Sequence, residues 1–214
     1  VPTQYEGVFP KGSLPIHQCI GYSDNALRKF FEYAKTQEWY NNTLFVITAD
    51  HTNRLATERY NNAKGLFEIP IAFYLPDNSL EEHRQSLVCQ TDIMPSVLAY
   101  LGYDKPFFAF GQDVLASNDR HFTVNYNHPL YQIFSDHLLL QFDGRQDYAV
   151  YDFKQDSLLQ NNITDSIAGL DENDANKKEA QQMLLYLKTN IFLQFFFSKY
   201  LSNYKTYYLP SLFY

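Results

Sequence analysis

Leu44-Phe45-Val46-Ile47-Thr48-Ala49-Asp50-His51 decides how this chain is read. From Leu44 to Thr48 there is no polar alternation, and Val46, Ile47 and Thr48 are β-branched. A short run of this kind fits a strand buried on both faces, the pattern of parallel sheets. It gives out at Asp50-His51, and both side-chain types are good ligands for zinc or manganese. Ligands of open α/β sheets gather outside the carboxyl ends of strands, so the pair stands where a metal site is expected. A metal there would act as a Lewis acid on a phosphoryl or sulfuryl oxygen.

Working outward, residues 23–36 read as a helix, with Ala26, Leu27, Phe30, Phe31 and Ala34 on one face and Ser23 or Asp24 as its cap. Residues 1–22 read as an irregular loop punctuated by Pro2, Gly7, Pro10, Gly12 and Pro15. After the Asp-His pair, 52–68 is polar and loop-like. A second buried strand is expected over 69–75, with Pro70 near its start and Pro76-Asp77-Asn78 at its end. Asp92 reads as the N-cap of a helix carrying Ile93, Met94, Val97, Leu98 and Leu101, with Pro95 in its first turn and Gly102 as its stop. Phe107–Gly111 is an aromatic loop, and 121–126 reads as a strand. Leu138–Phe142 and Tyr148–Phe153 read as a hairpin around Asp143-Gly144. A polar stretch over 171–180 leads into a helix from 176 to 200, with Leu184, Leu187, Ile191 and Phe195 on one stripe. The alternation of helix and buried strand makes an α/β fold, with an antiparallel hairpin added toward the C-terminus.

The composition narrows the function. Of 214 residues, 17 are Lys or Arg and 24 are Asp or Glu, a net charge of −7 that argues against nucleic acid as the main ligand. No apolar run approaches the roughly 18 residues of a membrane span, and no signal peptide opens the chain. The 18 Tyr, 18 Phe and single Trp can fill a sizeable core. Cys19 and Cys89 form one disulfide at most, or remain two thiols.

Other polar residues have plainer readings. Asp136-His137 repeats the dipeptide but precedes its strand, so it reads as a turn opening a hairpin strand. His17 lies in a Pro-bounded loop, and Asp24 and Asp92 suit helix caps better than metal ligation. Arg54 and Lys64 flank the loop after the Asp-His pair and can meet an anion or simply be solvated. His83, His121 and His128 show no ligand spacing. The chain has no Gly-rich phosphate loop, CxxC or nucleophile elbow, and Cys19 has no assignable base. No Ser or Thr stands in a nucleophile's setting. With the abrupt Val1-Pro2 start, that places the expected nucleophile upstream of these residues.

Taken together, LFVITADH with the preceding Trp39-Tyr40-Asn41-Asn42-Thr43 resembles the region around the Asp-His metal pair of the alkaline phosphatase/sulfatase superfamily. Within it the chain is most similar to the lipoteichoic-acid-synthase-like branch of phosphoglycerol transferases. Ile20 to Leu27 (IGYSDNAL) resembles the family's Tyr-x-Asp helix start. Ile69-Pro70-Ile71-Ala72-Phe73-Tyr74 resembles the strand after the metal loop, and Gln90 to Leu98 (QTDIMPSVL) resembles the Asp-x-x-Pro-Ser/Thr helix. Phe110-Gly111-Gln112-Asp113 and the stretch from Tyr151-Asp152 through Asp156 to Asn161-Asn162 match later segments in the right order. The likeness covers residues 1–165. It departs in Thr52–Tyr60, which lacks an expected His, and it ends before the aromatic tail beyond residue 186, which reads as a divergent helix or as a core-packing or interface helix.

The resemblance implies an alkaline-phosphatase-like α/β/α sandwich with a mostly parallel central sheet, incomplete at its N-terminus. Residues 1–170 would form the C-terminal part of the catalytic domain and 171–214 a helical, aromatic-rich tail. It implies one divalent metal (manganese, magnesium or zinc), for which only Asp50 and His51 match ligand positions. The Thr or Ser nucleophile, the first acidic ligand and the substrate-binding His residues would precede Val1. The implied activity is transfer of a phosphoglycerol or phosphoethanolamine headgroup from a phospholipid donor to a glycan or lipid acceptor of the cell envelope. The implied place is the outer side of the bacterial cytoplasmic membrane, reached through upstream helices. Two alternatives stand beside it: a sulfatase using a modified Cys or Ser, and an inactive fragment or interaction module.

Overall fold

In the computed structural model, which describes residues 1–14, 16–52, 57–80, 87–115, 122–127, 129–145 and 147–201, the first helix (α1) runs over Ile16–Ala34. It starts earlier than residue 23, so Asp24 lies within the helix, exposed, and caps nothing. Packing against the preceding loop accounts for the early start. A Cβ at Gly21 would come 3.2 Å from the Phe9 side chain, so the bare glycine lets Phe9 lie against the helix. The Tyr22 ring meets Tyr5 and Phe9 edge-on at 5.2 and 6.2 Å. His17 sits in the first turn of α1 and not in a loop as expected, its Nδ1 accepting the Leu14 N–H at 3.4 Å.

The chain divides into two compact units, Val1–Gln85 and Ser86–Tyr214. In the first, β1 (Phe45–Thr48) pairs with β2 (Ile71–Tyr74), Phe45 opposite Tyr74 and Thr48 opposite Ile71. The pairing is antiparallel. Every strand pair among the described residues is antiparallel, so the parallel pairing expected of the central sheet does not occur among them. The reason is physical: an apolar run reports that a strand is covered and carries no sign of its neighbour's direction. Nor is β1 buried on both faces, since Phe45, Val46 and Ile47 are half-buried and Thr48 is exposed. An aromatic cluster holds the pair. Phe45 lies 5.1 Å from Phe31 of α1, 5.7 Å from Tyr40 and 5.9 Å from Tyr74. The Tyr40 and Tyr74 hydroxyls share a hydrogen bond of 2.9 Å. Ala34, the last residue of α1, is fully buried.

The second unit opens with a helical turn at Gln90–Asp92 that runs into α2 (Ile93–Tyr100). Asp92 stands at the helix start as expected, but its carboxylate does a different job. It reaches back to the Cys89 N–H (2.6 Å) and across to the Gln112 N–H (3.0 Å), and it is buried. Gly102 ends the helix with φ +67°, the Tyr103 and Gly102 amides returning to Leu98 and Ala99. Further on, β3 (Thr123–Asn127), β4 (Leu130–Phe134), β5 (Leu138–Phe142) and β6 (Asp147–Asp152) form an antiparallel meander. The hairpin at Asp143-Gly144 is thus present, with Gly144 at φ +89°, as its last turn. Asp136-His137 lies in the turn that opens β5.

After the short α3 (Thr164–Ala168), α4 (Ala175–Leu201) lies on the sheet. Leu187 and Met183 are fully buried against Ile133, Leu138, Leu140 and Val150, with Leu184 and Ile191 beside them, so the expected stripe is the packing face. Phe195 lies outside the described side chains. Of the remaining segments matched by resemblance, Tyr151-Asp152 closes β6 and the residues after it form a loop. Asp152 accepts the Lys154 and Gln155 amides, and Asp156 accepts that of Asn161 at 2.6 Å. Cys19 and Cys89 are both free thiols. No described helix is long and apolar enough to cross a membrane.

Candidate metal centre

Asp50 and His51 leave β1 at the turn where its hydrogen-bonded pairing ends. Their side chains turn toward each other, with Asp50 Oδ2 3.4 Å from His51 Nε2. Both are open to solvent, 87% and 71% exposed, so the pair is an accessible feature of the surface and not a satisfied core contact. The surrounding bonds set the roles of the facing atoms. Asp50 Oδ1 accepts the His51 backbone N–H at 2.9 Å, which fixes the carboxylate. His51 Nδ1 lies 2.6 Å from the Thr52 carbonyl. A carbonyl only accepts, so Nδ1 carries the proton, and in the neutral ring Nε2 presents its lone pair.

With the ring neutral, two electron-pair donors face each other, an arrangement that a cation can bridge; with Nε2 also protonated, the same contact is an ion pair. Two ligands held about 2.1 Å from one tetrahedral ion lie about 3.4 Å apart, so the observed separation suits shared coordination of a divalent metal. The donor set, one carboxylate and one imidazole, suits zinc or manganese. Among the described residues no cluster of three or more His, Cys, Asp or Glu could hold an ion. Two donors are fewer than a four-coordinate ion takes, so the pair by itself is not a complete metal site.

Two threonines that the sequence reading passed over brace this turn. Thr48 Oγ donates to the Pro70 carbonyl at 3.0 Å, and Thr52 Oγ donates to the Leu66 carbonyl at 2.5 Å. They tie both shoulders of the Asp-His turn to the segment that leads back into β2. That segment is itself firmly built. Asn62 Oδ1 accepts the Lys64 and Gly65 amides, and a Cβ at Gly65 would meet the Tyr60 carbonyl oxygen at 2.3 Å. The sequence signal is slight: a hydroxyl residue on each side of the pair.

Two of the other candidates have partners of their own. Lys64 forms an ion pair with Glu68 at 2.6 Å, which answers its charge locally. His137 lies 3.1 Å from Asn176 Oδ1 and 3.7 Å from Glu179, against α4 in the second unit. Arg54, His83, His121 and His128 fall outside the described residues.

Residues 15–103 match the sulfatase family. The matched span takes in α1, both strands of the first unit, the Asp50-His51 turn and α2. Among solved structures, the chain is similar to BT4656 in complex with its substrate D-glucosamine-2-N,6-O-disulfate. The identity is 17% and the TM-score 0.54, over 80% of this chain and 39% of that one. A likeness at that identity speaks to the fold, and the chain spans well under half the length of that protein. The family match takes in less than half of the chain, and the structural likeness supports the α/β architecture.

Proposed function

We propose that this chain supplies the Asp-His half of a single divalent-metal centre in an enzyme that cleaves phosphate or sulfate esters. One observation carries the reading: the imidazole Nε2 and the carboxylate Oδ2, at the end of a sheet strand and open to solvent, face each other at the separation of two ligands of one ion. The ion, when bound, would polarise a phosphoryl or sulfuryl oxygen and steady the charge that builds on it. Asp50 and His51 would hold the ion in place, and the threonine-braced turn would keep both donors aimed. The nucleophile and the other ligands would lie outside these 214 residues, in keeping with the 39% of the solved relative that the chain spans.

Of the possible esters, we favour a phospholipid headgroup. The support is the resemblance of residues 39–51 and of the ordered later segments to phosphoglycerol transferases. In that chemistry an enzyme hydroxyl displaces the lipid alcohol from phosphorus, and an acceptor hydroxyl on a glycan or lipid then displaces the enzyme. The catalytic domain would work on the outer side of a bacterial cytoplasmic membrane. Sulfate-ester hydrolysis is the second reading, favoured by the sulfated sugar that the structurally similar protein takes as its substrate.

The test is to purify the protein together with whatever sequence precedes residue 1 and assay it with manganese against a fluorescent phosphatidylglycerol and against 4-nitrophenyl sulfate. Release of the fluorescent diacylglycerol without sulfate release is expected, and sulfate release alone would establish the second reading. Asp50→Ala should abolish the metal-dependent rate in either case. A rate that survives Asp50→Ala would remove the metal centre from the account.

A further inference from the structure

Resting on the reading of Asp50 and His51 as metal ligands, we propose that Thr52 is a positioning residue that sets the tautomer of His51 through a two-bond relay. The first bond runs from His51 Nδ1–H to the Thr52 carbonyl, at 2.6 Å. The second runs from the Thr52 hydroxyl to the Leu66 carbonyl, at 2.5 Å. One residue thus receives the ring proton with its backbone and anchors that backbone with its side chain. The anchor point does not drift, because Leu66 sits in the turn Gly65–Phe67. There the Leu66 amide bonds the Asn62 carbonyl at 3.1 Å, and only glycine fits at 65 against the Tyr60 backbone.

The relay has a chemical consequence. A histidine ligates metal through one ring nitrogen, and the hydrogen bond made by the other decides which one. With the proton held on Nδ1, the Nε2 lone pair is the one presented, and Nε2 is the atom that faces Asp50 Oδ2. Without the hydroxyl anchor, the Thr52 carbonyl is free to rotate away and the ring can place its proton on Nε2, which blocks the ligand atom. Thr48 makes the comparison useful. Its hydroxyl braces the other shoulder of the same turn, through Pro70, without touching the His51 ring.

The experiment reads the imidazole nitrogens of His51 by 15N NMR in the metal-free 214-residue chain, at a pH where the ring is neutral, with His51→Gln assigning the signals. The wild type is expected to show the Nδ1–H pattern. Thr52→Val should lose it, Thr52→Ser should keep it, and Thr48→Val should keep it. A general loosening of the turn would move Thr48→Val and Thr52→Val alike. Retention of the Nδ1–H pattern in Thr52→Val overturns the proposal. So does an Nε2–H pattern in the wild type, which needs no variant and decides the matter even if Thr52→Val does not fold. Zinc is then titrated into the same samples, with binding by Thr52→Val expected to be about tenfold weaker. Should the wild type show the Nδ1–H pattern while Asp50→Ala leaves the metal-dependent rate of the longer protein intact, the metal reading of the site fails while the relay itself stands.

Discussion

Asp50 and Asp92 are both carboxylates beside a helix or strand terminus, and their surroundings give them opposite tasks. Asp50 is exposed and paired with an imidazole. Asp92 is 1% exposed and accepts backbone amides from two separate segments, while Ser96 Oγ donates to the Asp92 carbonyl at 2.6 Å and accepts the Val114 amide at 3.0 Å. Asp92 therefore joins the start of α2 to residues 112–114. Replacing it with Ala strands the Cys89 and Gln112 amides, at a cost on the order of 3 kcal/mol. At roughly 2–4 °C per kcal/mol for a chain of this size, the thermal midpoint should fall by about 6–12 °C. Asp92→Asn, which keeps an accepting oxygen, should fall by clearly less. Calorimetry of both variants checks this, and equal losses would refute the two-amide account. The sequence shows that Asp92 begins a helix. It does not show the cross-link to Gln112, because a partner twenty residues away leaves no local pattern.

Tyr40 offers a second residue-level test, in pH. The Tyr74 hydroxyl bonded to it, then burial, then the charge Tyr74 can carry, raise the Tyr40 phenol above its usual value of 10.0. A group with a raised folded-state value holds its proton more tightly in the fold than in the unfolded chain. Its contribution to stability is therefore complete below pH 10 and is lost as pH rises through the folded value. The thermal midpoint of the wild type should thus fall more steeply above pH 10 than that of Tyr74→Phe, which removes the shared hydrogen bond. Parallel pH profiles for the two proteins would show that the pair is not coupled to folding.

At the scale of elements, what the sequence reveals depends on whether the deciding interaction is local. Helix α2, its Gly102 stop and the Asp143-Gly144 turn are set by neighbours within a few residues, and all three are where the pattern puts them. The apolar stripe of α4 is likewise a local repeat. The start of α1 and the direction of the β1–β2 pairing are not local, since one rests on Phe9 and Tyr5 and the other on a partner more than twenty residues away. Strand β4 leaves a weak pattern, because its LYQIF places a fully buried Gln132 among apolar residues. The Asp-His pair was legible as a strand-end motif. Its threonine braces were not, because their carbonyl partners lie fourteen and twenty-two residues on.

Glycines separate two kinds of constraint in the same way. Gly102 has φ +67° with open space where a Cβ would go, whereas a Cβ at Gly111 would meet the Thr91 carbonyl oxygen at 2.2 Å. Gly102→Ala should therefore cost only the strain of the left-handed backbone, about 1 kcal/mol. Gly111→Ala must push two backbone segments apart and should cost several times as much, since neither can yield as a side-chain tip would. Denaturant melts of the two variants give the ranking. A Gly111→Ala loss no larger than that of Gly102→Ala would mean that residues 91 and 111 are not held together.

For the whole molecule, charge and apolar surface pull in opposite directions. On α1, Ile20, Leu27, Phe30 and Tyr33 are 57%, 41%, 46% and 63% exposed and fall along one side of the helix. The β1–β2 pair has no third strand among the described residues, and strand edges are a second place for copies to pair. Both features favour association between copies. The net charge of −7 opposes it near neutral pH, because like-charged molecules repel at long range. That repulsion weakens as the pH approaches the isoelectric point near 5.3, and salt screens it over a Debye length of about 10 Å at 0.1 M. The 214-residue chain is therefore expected to sediment as larger species at pH 5.5 than at pH 8, and at pH 8 to associate more in 0.5 M salt than in 0.02 M. Leu27→Lys with Tyr33→Ser should reduce association under both conditions by breaking the stripe while leaving the Phe30–Phe45 contact to β1 and the Asp-His turn in place. If the double variant associates as the wild type does, the α1 face is not the adhesive surface, and the open strand edges become the next place to substitute charge.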